Sequence, residues 1–482
     1  MPEGWRYSQP SIHDQNETFC NITVSYTHPG QGDAIYVETW LPVNNYNGRL
    51  QAIGGGGWTA GRFFLSYVGM IGAVHDGYAT ATTDAGLGNS TFLEWGLVSP
   101  GNTNLYAIQN LGSVSLSDEA IIVKHFIEEY YRQPPSYSYW NGCSHGGRQG
   151  SMLAQRYPTA YDGIIAAAPA VYWAEVVLES MWPGFYMDST GQYPNSCQLN
   201  QLTAFAVAEC DADDGVQDGI IADPDSCLAK FDPTAHVGKE GSSLFAVQFN
   251  SNVDVARALW NGPVSSTGKK LWHGFKIGTD LSSLAATNCT IDGTCFGTAT
   301  SVTDWIDEAF VAKDLTANLT SHNTSHQRFD YVYYSFKQQF DSLIGTHDPD
   351  YSAFKDAGGK MITYHGLADQ SIPPDGTLNF YHEIANTVPD IESFYRYFKV
   401  PGLGHCWGGS GGQPITLFDQ LRVWVENGTA PDSSVVTITK PNNSTQEQLI
   451  CAYPKKAKRC FLHRAMTIVL LVKRPKQAMN VK

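Results

Sequence analysis

Apolar and polar positions alternate along this chain with two different periods, and the changes of period mark its elements. Residues 35–42 (IYVETWLP), 49–53 (RLQAI) and 78–83 (YATATT) read as strands, the second running into Gly54-Gly55-Gly56-Gly57. From 117 to 131 (SDEAIIVKHFIEEYY) apolar residues fall at helical spacing. Ser117 is placed to cap that helix, with Asp118 and Glu119 in a first turn where the dipole favours carboxylates. A β-prone aromatic run at 136–141 (SYSYWN) leads into GCSHGG and a helical pattern at 148–156 (RQGSMLAQR). Further on, 360–364 (KMITY) and 393–400 (SFYRYFKV) are strand-like, and 415–427 (ITLFDQLRVWVEN) presents a broad apolar helical face. Strands alternating with helices predict a parallel sheet covered by helices on both faces.

Between about 170 and 355 the character changes: Trp, Tyr, Gly and Asn are frequent, turn-prone clusters interrupt the pattern, and five of the cysteines fall inside. This predicts a lid domain, 170–355, inserted into a catalytic domain made of 1–169 and 356–455, with a divergent tail over 456–482. The last 32 residues hold nine Lys or Arg and no Asp or Glu, which on an acidic chain suggests either a membrane-surface contact or a divergent terminus; we expect the latter. The apolar run from Ala465 to Val472 is far short of the ~20 residues that span a bilayer, so no membrane partner is expected. A net charge of −15 argues against nucleic acid as a partner, which calls for a basic footprint.

Ten cysteines without a CxxC pair point to disulfides in an oxidising compartment rather than to a zinc ribbon. Sequons at Asn16, Asn21, Asn89, Asn288, Asn318, Asn323, Asn427, Asn442 and Asn443 support secretion. The opening MPEGWRYSQP shows no signal peptide, so a start upstream of this sequence is expected.

Gly142-Cys143-Ser144-His145-Gly146 fits the G-x-S-x-G nucleophile elbow of an α/β-hydrolase, a tight strand-to-helix turn that exposes a serine. Gly408-Gly409-Ser410-Gly411-Gly412 matches too, but lies in a loop with no strand directly before it. A serine needs a base and an orienting acid, which this fold supplies in the order Ser, Asp, His. Asp369 follows the strand at 360–364, and His405 follows the next strand. His365 is expected to pack or bond locally, and Asp84 to stabilise a turn. For the oxyanion, one amide is expected from His145 and another from the glycine loop, at Gly55 or Gly56.

Cys143 directly precedes Ser144, and Cys406 directly follows His405. A bond between them would pin the two loops together. Cys210 and Cys227 bracket an acidic loop and are expected to pair; Cys289 and Cys295 are close enough to bridge locally. Cys20, Cys197, Cys451 and Cys460 are left unassigned.

The Cys-Ser…Asp…His-Cys pattern, with GGGGW upstream and GCSHGGRQG at the elbow, resembles the tannase and feruloyl esterase family of secreted fungal and bacterial enzymes, from about Cys20 to Pro454. The resemblance implies a triad of Ser144, Asp369 and His405, a bond between the flanking cysteines, and a lid shaping a pocket for aromatic acid esters. GRLQAIGGGG and GCSHGGRQG lean toward the feruloyl esterases, with tannase as the alternative. Substrates would be small aromatic esters or phenolic esters linked to plant cell-wall polysaccharide. Trp260, Trp272 and Phe275 are weak candidates for ring contacts, and core is the favoured reading of each.

In the family a loop similar to residues 210–227 (CDADDGVQDGIIADPDSC) binds calcium. The matching ligands here would be Asp211, Asp214 and Asp218 with the carbonyls of Val216 and Ile220, a hard oxygen set suited to structural Ca²⁺. Two other readings stay open: an inactive glycoprotein that binds plant cell wall, and a peptidase using the same triad.

Overall fold

The computed structural model describes residues 2–13, 16–88, 92–238, 250–291, 293–298, 306–316, 325–440 and 443–457. Nearly all of the basic tail, Cys460 and the sequons at Asn89, Asn318, Asn323 and Asn442 lie outside them. Eight strands make one sheet: β1 (Phe19–Tyr26), β2 (Ile35–Pro42), β3 (Arg49–Ile53), β4 (Ala79–Thr83), β5 (Tyr137–Cys143), β6 (Gly163–Ala167), β7 (Lys360–Gly366) and β8 (Tyr395–Val400). Their spatial order is β1-β2-β4-β3-β5-β6-β7-β8.

From β4 across to β8 every pairing is parallel, whereas β2 runs antiparallel to both β1 and β4. The wholly parallel sheet expected from the alternation of elements is therefore corrected to a mixed one. The burial patterns give the reason. β1 alternates partly buried with exposed residues, as an edge strand with one wet face does, and such a strand tolerates antiparallel pairing. β4 (ATATT) and β6 (GIIAA) are buried at every position, as strands covered on both faces must be.

Helices α1 (Phe64–His75), α2 (Ser115–Tyr131) and α3 (His145–Arg156) follow β3, β4 and β5 along the chain. The expected start of α2 is corrected: a π-helical turn at Asn110–Val114 runs straight into it, and Ser117 lies inside the helix rather than at its cap. Leu111 and Leu116 are fully buried, and the Ser115 hydroxyl donates to the Asn110 carbonyl at 2.7 Å, so packing extends the helix upstream of the sequence signal. Asp118 stays in the first turn, but Glu119 does not; it is buried, and among the described residues neither of its carboxyl oxygens has a hydrogen-bond partner.

Burial pushes the Glu119 carboxyl up to about 8. The native state then holds a proton that the unfolded chain releases above about pH 4.3, so this group lowers stability as pH rises between those values. Glu119→Met is expected to raise stability by about 3 kcal/mol at pH 8 and by little at pH 5. Urea melts of both proteins at the two pH values check this, and an equal gain at both would contradict it.

The segment 170–355 supplies α4 (Trp173–Thr190), α5 (Ser196–Cys210), α6 (Asn250–Asn261) and α7 (His326–Ile344). Its apolar core is shared: Leu178, Leu202, Leu259, Phe310 and Phe336 pack in one cluster with Leu87, Phe92, Trp95 and Leu111 from the loop region before α2. After β7 come α8 (Pro374–Thr387) and, beyond β8, α9 (Leu417–Asn427) and the antiparallel hairpin of β9 (Ser433–Thr439) and β10 (Thr445–Cys451). Among the described residues, no helix is long and apolar enough to cross a membrane.

Candidate active site

Because β5, β7 and β8 run parallel, their C-terminal ends meet the same edge of the sheet, where open α/β sheets hold their ligands. The turns beyond those ends carry Ser144, Asp369 and His405. Ser144 sits between the last residue of β5 and the first of α3 with φ 62° and ψ −121°, a backbone state that costs a non-glycine residue about 1–3 kcal/mol. Bonds on both sides hold it there: its N–H donates to Ala167 at 3.0 Å, and its carbonyl accepts from Arg148 at 2.9 Å and Ala170 at 3.2 Å.

Two glycines at the head of α3 let this turn form. A Cβ on Gly146 would lie 2.8 Å from the Gly55 carbonyl oxygen, and one on Gly147 would lie 2.4 Å from that of Ala167. Helix propensity is given up there, about 1 kcal/mol per glycine, for close backbone approach.

Asp369 is fully buried, whereas Ser144 and His405 are partly exposed. His405 Nδ1 lies 2.8 Å from Asp369 Oδ2, and the His405 amide donates to Gln370 Oε1 at 3.0 Å. With Nδ1–H given to the carboxylate, Nε2 is left as the basic nitrogen. Asp369 Oδ1 accepts from the amides of Ser371 at 2.7 Å and Ile372 at 2.8 Å. Burial alone would push this carboxyl up; the His405 charge and the hydrogen bonds from His365 and His405 outweigh it and hold the group well below the usual carboxylate range.

A disulfide joins Cys143 to Cys406 across a sequence separation of 263, with Cα atoms 5.9 Å apart. It fastens the residue before Ser144 to the residue after His405. Cys406, like Ser144, has a left-handed backbone, with φ 63°. Asp84 accepts the amides of Tyr36 and Gly86 and pairs with Arg62 at 3.2 Å, stabilising a turn, and Ser410 lies in an exposed loop. His365 does more than pack: its ring reaches Asp369 itself at 3.0 Å, a contact the sequence signalled only as a spacing of four residues.

The Gly55 and Gly56 amides of the glycine loop are engaged within the protein: Gly55 donates to Gln149 Oε1 at 2.8 Å and Gly56 to the Thr59 carbonyl at 3.0 Å. These internal bonds brace the loop against α3. His145 opens α3, and its amide therefore has no carbonyl within the helix to bond. The His145 ring is buried, which drives its pKa well below the usual value and keeps it neutral. Trp173 meets this ring edge-on at 5.1 Å and in turn meets Trp58 edge-on at 4.9 Å, an aromatic contact linking the elbow, the glycine loop and the start of α4 that the GGGGW run alone did not reveal. Trp260 and Phe275 are buried, while Trp272 is partly exposed beside Tyr172 at 4.9 Å.

In the acidic loop, Cys210 and Cys227 are bonded, as are Cys289 and Cys295; Cys20, Cys197 and Cys451 are free thiols. Asp211 Oδ1 gathers the amides of Asp218, Gly219 and Ile220, and Asp214 Oδ1 accepts from Val216. Burial raises the Asp218 carboxyl, and the neighbouring Asp214 and Asp211 charges raise it further. The three carboxylates thus feel one another, yet among the described residues no three acidic, His or Cys side chains converge on a single point as a metal cluster. The donor set remains suited to a hard cation: three carboxylates, plus Val216 and Ile220 carbonyls that accept no hydrogen bond among the described residues. The loop also touches the base side of the sheet. Asp218 Oδ2 accepts from Gln448 at 2.5 Å, and Ile220 packs beside Gly402, three residues before His405.

The sheet order and the strand–turn–helix at Ser144 are those of an α/β-hydrolase. The chain belongs to the tannase and feruloyl esterase family, whose model matches residues 20–461, and it is a carboxylic ester hydrolase. A probable feruloyl esterase of Arthroderma benhamiae is 35% identical over 92% of this chain and 84% of its own. A tannase of Aspergillus oryzae is 26% identical over 91% and 83%. Among solved structures, a tannin acyl hydrolase from Aspergillus niger superposes with a TM-score of 0.87 at 26% identity, covering 97% of this chain and 88% of that one.

Proposed function

We propose that this chain is a secreted serine esterase of the feruloyl esterase type, cleaving hydroxycinnamic acid esters through an acyl-enzyme on Ser144. The observation that carries this reading is the Cys143–Cys406 bond beside the Asp369–His405 contact, which ties a strained serine turn to an oriented imidazole. His405 Nε2 takes the hydroxyl proton as Ser144 Oγ attacks the ester carbonyl, then returns it to the departing alcohol. Water enters by the same route in reverse and frees the acid. Asp369 keeps the proton on His405 Nδ1 and stabilises the imidazolium. The His145 amide stabilises the oxyanion; the glycine loop adds a second donor only if the Gly56–Thr59 pairing opens or the exposed Gly57 amide turns inward.

The hydroxycinnamate preference draws on the feruloyl esterase relative at 35% identity, against 26% for the tannase. Tannase is the second reading, favoured by the backbone match to the tannin acyl hydrolase. Secretion is supported by three disulfides and by exposed sequon residues Asn16, Asn21, Asn288, Asn427 and Asn443.

Methyl ferulate, methyl caffeate and methyl gallate, assayed with wild type and Ser144→Ala, test the proposal. Ferulate and caffeate are expected to turn over faster than gallate, and Ser144→Ala to lose at least ~10⁴-fold in kcat. Faster gallate hydrolysis would favour tannase, and an active Ser144→Ala would remove the serine mechanism. Folded protein that a fluorophosphonate does not label would indicate an inactive cell-wall binder, and amide hydrolysis without ester hydrolysis a peptidase.

We also infer that the 210–227 loop binds structural Ca²⁺ through Asp211, Asp214, Asp218, Val216 and Ile220, where the ion relieves repulsion among the three carboxylates. Calcium at 100 times its Kd is expected to stabilise the fold by about 2.7 kcal/mol over chelated protein. Asp218→Asn should reduce that gain, and thermal melts in calcium and in chelator read it directly. Identical melting temperatures in both would remove the ion from the account.

A further inference from the structure

A catalytic triad needs one imidazole on its carboxylate, and here Asp369 has two. His365, on β7 and fully buried, sets Nε2 3.0 Å from Asp369 Oδ2, the same oxygen that meets His405 Nδ1 at 2.8 Å. That nitrogen also lies 3.1 Å from the Ile372 carbonyl oxygen. Both neighbours only accept, so Nε2 carries the hydrogen. Nδ1 faces Thr377 Oγ1 at 2.8 Å, and with that hydroxyl donating, the neutral ring has both nitrogens bonded.

We propose that His365 is a positioning residue for ester hydrolysis: its Nε2–H shares Asp369 Oδ2 with His405, locking the carboxylate's rotation and tempering its pull on the His405 proton. The inference rests on the triad reading above. Rotation of the carboxylate about Cβ–Cγ would break the His365 bond together with the Ser371 and Ile372 amide bonds to Oδ1. Oδ2 therefore stays aimed at His405. A second donor on one oxygen also draws away electron density, so that oxygen stabilises the His405 imidazolium less than it would alone. The imidazolium formed during the reaction therefore releases its proton more readily to the leaving alcohol.

Among the described residues, the charged and titratable side chains bonded to the Asp369 carboxylate come from two further segments, His365 from β7 and His405 from the loop after β8, and the Tyr364 hydroxyl nearby donates to the Cys406 carbonyl at 3.1 Å. From α8 the facing group is the neutral Thr377, and Asp375 in the first turn of that helix is engaged by Lys276 at 2.6 Å. Neutral Gln370 holds the His405 amide. Removing the His365 donor therefore leaves His405 as the remaining imidazole on Oδ2.

His365→Phe removes the donor and keeps a ring, whereas His365→Gln returns an N–H near the former Nε2 position. With methyl ferulate, the Phe variant is expected to lose on the order of tenfold in kcat at unchanged KM. The acid limb of its kcat/KM profile should move up by about 0.5–1 pH unit, because the freed carboxylate holds the His405 proton harder. His365→Gln should restore most of both. If the Phe variant does not fold, His365→Asn tests the same bond, since its shorter amide can meet Thr377 but falls short of Asp369. A lower melting temperature with an unmoved acid limb, in whichever variant folds, would make His365 merely structural and overturn the proposal. Asp369→Asn measured alongside separates the two ideas. An inactive Asp369→Asn beside an unaltered His365 variant sinks this inference alone, whereas an active Asp369→Asn removes the triad beneath it.

Discussion

Asparagine at position 369 is expected to lower kcat by about 10⁴-fold, because it turns the base around without moving it. The wild-type carboxylate only accepts, which obliges His405 to carry its hydrogen on Nδ1 and leaves Nε2 bare. An asparagine amide can donate to Nδ1 instead, and the ring then holds its hydrogen on Nε2, where it cannot take the proton of Ser144. KM should change little, since Asp369 is buried away from any substrate. Steady-state kinetics check this, and a loss below about tenfold would mean that the imidazole is oriented by something else.

The same variant has a signature in stability. The Asp369 carboxyl is held well below its usual range, chiefly against burial, by His405 and His365. A depressed acid adds stability that is present above its unfolded pKa of about 3.9 and is lost as pH falls toward the folded value. Asp369→Asn should therefore be less stable than wild type at pH 6 and lose less on going to pH 3. Denaturant midpoints at the two pH values measure the difference.

Loss of the Cys143–Cys406 bond should cost about 5 kcal/mol by the chain-entropy argument, as expected for so long a closed loop. Its effect on rate should also be large. The bond fixes the distance between the turn bearing Ser144 and the turn bearing His405, and misplacement by 1 Å can cost about 10²-fold. The Cys143→Ala/Cys406→Ala variant, assayed where its melt shows it folded, is expected to lose 10²-fold or more in kcat, on that same ~10²-fold scale. The Cys210→Ala/Cys227→Ala variant serves as control and should lose stability with little change in kcat, because that bond closes a short loop, a sequence separation of 17, that carries none of Ser144, Asp369 and His405. Equal kcat losses in both variants would show that the first bond acts only through global stability.

Much of the site could be read from the chain. A β-prone run before it and a helical pattern after it mark the elbow at Ser144, and the loop around Ser410 lacks that context. The strand ends before Asp369 and His405 were visible in KMITY and SFYRYFKV. Other parts were not. β6 is five residues of GIIAA, too short and too small to stand out from a helix start. The start of α2 was set by burial of Leu111 and Leu116 rather than by the serine that looked like a cap. Gly55 and Gly56 had the flexibility of oxyanion donors, but Gln149 and Thr59, which take their amides, cannot be paired with them from sequence.

By itself, then, the sequence determined most of the elements, the elbow and the strand ends before Asp369 and His405, because periodicity, glycine placement and strand-to-helix turns are short-range properties of neighbouring residues. Tertiary structure alone decided that β2 runs antiparallel to both β1 and β4 and that two histidines share one oxygen of Asp369, whereas the Cys143–Cys406 bond is the one expected from the cysteines flanking Ser144 and His405. Those contacts arise where parallel strands from distant parts of the chain end at one sheet edge. Which ends become neighbours is set by the packing of the whole sheet, and no local pattern encodes it.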